Sequence, residues 1–125
     1  LQDRVTTIHG SYVDTPFPGN QDVVHFFGVL HQESPETIVD LFKKSFAALN
    51  NGAQINVMDM MTDSTRTAPA FSALFALNMA LTKEAGWVFS DSDIIGWLEE
   101  AGFVDCNVKP LPAPMPHWLA TGRKK

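Results

Sequence analysis

The chain has 125 residues, 45% of them hydrophobic and 18% charged, with a formal net charge of −5. One folded domain with room for a buried core is expected from that length, and the acidic balance with scattered Lys and Arg excludes a nucleic-acid or anionic-membrane surface. The lone cysteine, Cys106, points to a reducing compartment; no secretory leader is read at the start and no stretch is apolar enough to span a bilayer, so a cytoplasmic domain is expected.

Arg4 to His9 is rich in β-branched residues and reads as a first strand. Pro16, Pro18, Gly19 and Asn20 then make a turn-rich loop. Asp22 to Phe27 is a continuous apolar run, the pattern of a strand buried on both faces. Ser34, Pro35 and Glu36 form a helix start signal. Ile38, Leu41, Phe42, Phe46 and Leu49 follow at helical spacing, and Asn50-Asn51-Gly52 stops the helix. Ala53 to Asp59 is another buried strand. Pro69 opens a second helix running to about Leu81. A third helix is capped by Ser90 or Ser92 and ended by Gly102. Val104 to Lys109 and His117 to Thr121 close the chain as a hairpin, joined by the stiff stretch Leu111 to Pro116. The order predicts an α/β domain, parallel first and antiparallel last.

Several chemistries are absent from the pattern. The eight glycines are dispersed, so no phosphate-binding fingerprint occurs within these residues. The four histidines lack i, i+4 spacing and no cysteine pair exists, which argues against a metal site. No Gly-x-Ser-x-Gly elbow marks a hydrolase. Cys106 has no cationic neighbour in sequence to activate it, so a packed thiol is expected. Pro110 to Pro116 has the alternating prolines of a ligand for proline-binding domains, but reads first as a rigid connection near the substrate mouth.

His31 and Asp59 remain. Each follows a predicted buried strand at its carboxyl end, where ligands bind in open α/β sheets. A histidine and a carboxylate at neighbouring strand tips would make a base and its orienting partner. The plain alternative is a surface histidine beside a helix start and an aspartate opening a loop.

The stretch from Asp22 to Met60, with its strand, Val29-Leu30-His31, capped acidic helix, Asn51-Gly52 turn and strand ending in Asp59, resembles the S-adenosylmethionine-dependent O-methyltransferases of small aromatic and polyketide hydroxyls. Leu77 to Leu81, Ala101-Gly102-Phe103 and the closing hairpin match in order, so the likeness covers nearly the whole chain. It implies a partial Rossmann-like class I methyltransferase sheet, mostly parallel, with a C-terminal antiparallel hairpin. It also implies that residues 1–125 are the carboxyl-terminal part of a catalytic domain, whose glycine-rich cofactor loop, ribose-binding acid and dimerisation domain precede Leu1.

Carried over residue by residue, the resemblance makes His31 the general base and Asp59 the carboxylate that holds its ring. Ser11 and Tyr12 match the loop beside the adenine of S-adenosylmethionine, and Phe27 and Gly28 match positions on its methionine side. Phe75, Asn78 and Met79 match the helix that packs on the acceptor ring; without the resemblance, Phe75 and Met79 read equally as helix core. This sequence departs from the family where Gln32 replaces an acid after the histidine, where Ser11 replaces an adenine-reading acid, and where Val88 replaces a second carboxylate beside the base.

The implied partners are a small-molecule acceptor and either a second copy or a complementing N-terminal half, with no nucleic acid and no membrane. The family's sheet has further strands between Val5 and Val23, so the apolar edge of Val23 to Phe27 is expected to be unpaired and to invite association. The reading from a different class is a non-catalytic binding or assembly module that keeps the fold without the cofactor site.

Overall fold

The computed structural model describes residues 1–125. Four strands form one sheet: β1 (Gln21–Phe27), β2 (Leu49–Asp59), β3 (Val104–Pro110) and β4 (Trp118–Arg123), in the order β1-β2-β4-β3. Three helices accompany it: α1 (Pro35–Ala48), α2 (Ala70–Thr82) and α3 (Asp91–Glu100). No helix is long and apolar enough to cross a membrane.

The start signals work as the sequence reading predicts. Ser34 accepts the Thr37 backbone N–H at 3.2 Å, with Pro35 in the first helical position of α1. Of the two candidate caps for α3, Ser90 takes the place. It accepts the Asp93 N–H while the Asp93 carboxylate accepts the Ser90 N–H, a reciprocal capping box. The chain turns from α1 directly into β2 at Leu49, and Gly52, at φ +82°, sits within an irregularity of the β1–β2 ladder.

Two expectations need correction. Arg4 to His9 is not a strand: Gln2–Arg4 forms one short 3-10 turn and the chain then runs irregularly, with Val5 and Ile8 exposed. β-Branched residues favour a strand only where a neighbouring ladder receives them, and no strand of this sheet pairs with this segment. Nor is the sheet mostly parallel. β1 pairs parallel with β2, but β2–β4 and β3–β4 are both antiparallel. β4 returns by a hairpin and inserts between β2 and β3, which makes the sheet mixed.

The core lies where α1 and α3 cover the sheet. Phe42 and Leu41 of α1, Ile94 and Leu98 of α3, and Ile55 and Val57 of β2 are all but inaccessible to solvent. At the other extreme β1 is an edge strand, with Val23 and Phe27 exposed along it. Within this chain β1 pairs on one side only, with β2. β1 and β2 end together at Phe27 and Asp59, where Asp59 faces Trp118 at the start of β4. The proline-rich connection Leu111 to His117 therefore emerges at this same end of the sheet.

Candidate active site

His31 lies in a short 3-10 turn, Leu30–Gln32, between β1 and α1. Leu30 is fully buried and anchors the turn in the core. The Asp59 side chain leaves the last residue of β2 and is almost wholly buried. One carboxylate oxygen, Oδ2, accepts the His31 backbone N–H at 3.2 Å. The other, Oδ1, lies 2.9 Å from His31 Nδ1 and also accepts the Met60 N–H at 2.8 Å. A carboxylate oxygen against Nδ1 favours the ring proton on that nitrogen and leaves Nε2 as the ring nitrogen not engaged by Asp59. The His31 side chain retains 17% of its accessibility against 2% for Asp59. A buried carboxylate thus holds an imidazole that still reaches solvent.

Phe75 of α2 packs edge-on against the His31 ring, with centroids 5.3 Å apart. This contact draws α2 into the site. Met79, one turn on, is buried, and Asn78 between them is exposed. Phe27 and Gly28 follow at the end of β1, beside the dyad. The Gly28 N–H donates to Met58 O at 2.8 Å, and its φ of +68° is left-handed. A side chain at Gly28 would meet no atom within 4 Å, so the glycine leaves open space next to the half-exposed Phe27 ring.

Tyr12 reaches the His31 turn, and Ser11 does not. The Tyr12 hydroxyl donates to Glu33 Oε1 and accepts from Gln32 Nε2 at 3.1 Å. Burial, and then the Glu33 contact, raises the Tyr12 pKa, so the phenol stays protonated and remains a donor. Lys44 of α1 holds the same loop by donating to the carbonyls of Tyr12, Val13 and Thr15 at 2.7–2.9 Å. Gln32, a departure from the family pattern, is thereby a tether for Tyr12. Ser11 is exposed, and its hydroxyl accepts only the Val13 N–H, at 3.3 Å. No hydrogen bond joins Ser11, Asn78 or Met79 to His31 or Asp59.

A cleft of about 400 Å³ runs beside β1 between Tyr12, Phe17, Val24 and Phe26. The dyad does not line it. Val88 is buried and apolar, and Asp59 is the carboxylate in hydrogen-bond contact with the His31 ring. Sequence reasoning passed over Trp87 and Lys44, which hold the site's loops from more than 28 residues away in the chain. Neither stands in a motif, and only distance in space would have found them.

Both the sequence and the fold match a known family. The sequence profile of the O-methyltransferase domain matches residues 1–104. This chain belongs to that family. It is 32% identical over 127 aligned positions to the tetracenomycin polyketide synthesis 8-O-methyl transferase TcmO of Streptomyces glaucescens, covering 98% of this chain and 35% of that protein. It is 30% identical to an L-tyrosine C(3)-methyltransferase of Streptomyces lavendulae, over 82% of this chain and 28% of the relative. The crystal structure of the S-adenosylmethionine-dependent methyltransferase SibL superimposes with a TM-score of 0.88 at 28% identity, over 98% of this chain and 36% of that one. The chain thus spans about a third of the length of the relatives it matches.

Proposed function

We propose that the protein carrying this chain methylates a hydroxyl of a small aromatic or polyketide-like acceptor, with His31 as general base and Asp59 as its orienting carboxylate. The observation that carries this reading is the 2.9 Å contact of His31 Nδ1 with a buried carboxylate at the common end of β1 and β2. Asp59 holds the ring so that Nε2 is the free nitrogen, and partial exposure lets Nε2 meet an acceptor hydroxyl. His31 then removes the hydroxyl proton as the oxygen attacks. The Phe75 ring, edge-on to His31, offers an apolar wall to an aromatic acceptor. An intact, oriented base favours an enzyme over a module that keeps only the fold.

S-adenosylmethionine is the cofactor of this family, and when bound it supplies a methyl group activated by a sulfonium. The residues here fit one side of it. Phe27 offers a half-exposed ring, Gly28 leaves open space, and the tethered Tyr12 offers its ring while its hydroxyl is engaged. Ser11 adds an exposed hydroxyl. Such aromatic contacts contribute about 0.5–1.5 kcal/mol beyond area burial, whereas micromolar affinity requires roughly 8 kcal/mol. Titration calorimetry of residues 1–125 with S-adenosylhomocysteine is expected to find binding far weaker than micromolar; a low-micromolar dissociation constant would place the cofactor elsewhere.

The deciding experiment is His31→Ala in the full-length protein, with methyl transfer followed by mass spectrometry. General-base removal costs roughly 10²–10⁴-fold in kcat, and undiminished turnover would end the reading. The tyrosine C(3)-methyltransferase relative supports a second outcome at the same base. Removing a phenol proton also activates the adjacent ring carbon, and the position of the new methyl group separates the two.

A further inference from the structure

His31 sits in a turn of only three residues, so its aim depends on what grips that turn from outside. Asp59 grips the ring and the His31 N–H. The carbonyl side is gripped by a single distant residue. The Trp87 backbone N–H donates to His31 O at 3.0 Å, and the Trp87 indole Nε1–H donates to Glu33 O, also at 3.0 Å. One residue thus uses both of its donors on the two carbonyls that flank Gln32. The indole is itself held from several sides. Its ring packs 5.6 Å from Trp97 of α3 and 6.2 Å from Phe89, and the Arg66 guanidinium lies 5.8 Å from its centroid while bridging to Asp93 at 2.7 Å.

We propose that Trp87 is a positioning residue for the methyl-transfer site: it braces the His31 turn at two carbonyls and so sets the angle at which the imidazole presents Nε2. The inference rests on His31 being the base. Both Asp59 contacts, to Nδ1 and to the His31 N–H, lie on one side of the residue, so they leave the carbonyl side of the turn free to rock. The Trp87 donors remove that freedom by pinning the backbone on the other side of the residue. Acid–base chemistry is sensitive to such angles, since displacing a base by about 1 Å costs on the order of 10²-fold in rate. Gln32, between the two pinned carbonyls, carries the same constraint to the Tyr12 hydroxyl through its own hydrogen bond.

The test removes the indole donor and keeps its shape. Benzothienylalanine incorporated at position 87 replaces N–H by sulfur in an isosteric ring, and Trp87→Phe serves as a second variant. In residues 1–125, ¹⁵N-resolved NMR of the His31 ring reads the tautomer and the exchange of the Nδ1 proton without any cofactor. The expected result is faster Nδ1 proton exchange, tenfold or more, with both tautomers populated and the thermal midpoint unchanged. In the full-length protein, kcat is expected to fall about tenfold at constant KM for S-adenosylmethionine, with a displaced pH profile. Unaltered His31 ring signals in both variants overturn the proposal, as does a loss of stability with the ring signals unmoved. If His31→Ala retains full methyl transfer, the functional reading fails instead, and the ring signals still decide whether Trp87 braces the turn.

Discussion

Helices α1 and α2 are nearly equal in length, 14 and 13 residues, yet they meet the rest of the molecule in opposite ways. In α1 the apolar residues form one stripe, and six positions, Ile38, Val39, Leu41, Phe42, Ser45 and Ala48, are buried. Glu36, Asp40 and Lys43 face outward. α2 is the more apolar helix, yet it buries only Ser72 and Met79, and Phe71, Leu74, Leu77 and Leu81 are each more than half exposed. The contrast teaches that arrangement, more than amount, decides burial within this chain. A stripe selects one face for the sheet, whereas a helix that is apolar all round selects none. What holds α2 to the site is a small set of contacts, led by Phe75 on His31.

Breaking this comparison should be hardest on the α1 side. Phe42→Ala removes a fully buried ring from the centre of the core and is expected to cost about 3–5 kcal/mol, read from urea unfolding at unchanged m-value. A cost under about 1 kcal/mol would mean that α1 packs more loosely than its burial indicates. The corresponding truncation on α2 sharpens the contrast. Leu74→Ser acts on an exposed side chain and should stay within about 0.5 kcal/mol of the parent; a loss comparable to Phe42→Ala would show that the α2 face is covered in solution.

The smallest effect is expected at Cys106, on β3 beside the α1–α3 core. Burial, followed by the charges of Glu99 and Asp105, pushes its thiol up to about 11. Because the thiolate is the reactive form, alkylation by iodoacetamide at neutral pH should be slow. It should accelerate roughly tenfold per pH unit until the thiol titrates. Fast labelling at pH 7 would show that this side of the sheet opens.

How much was legible depended on how far apart the interacting residues lie. Ser34-Pro35-Glu36 announced α1 because a cap, a first-turn proline and a favourable charge act within one turn of backbone. Ser90 or Ser92 announced α3 for the same reason, and the structure chose Ser90. His31 and Asp59 were legible as candidates, since both stand where a strand ends. Their resemblance to an O-methyltransferase pattern supplied the pairing that composition alone left open.

The sequence by itself determined the local elements, the helix starts and the two strand tips that bear a histidine and an acid, because those signals are encoded by neighbours one to four residues apart. Only the tertiary structure decided which strands pair. It left Arg4 to His9 without a ladder despite their β-branched side chains, and set β4 antiparallel between β2 and β3. It also brought Asp59 to within 2.9 Å of His31, 28 residues away, and Trp87 onto Glu33 from 54 residues away. Backbone pairing and side-chain approach over such separations depend on how the whole chain packs, and no window of local spacing carries that information.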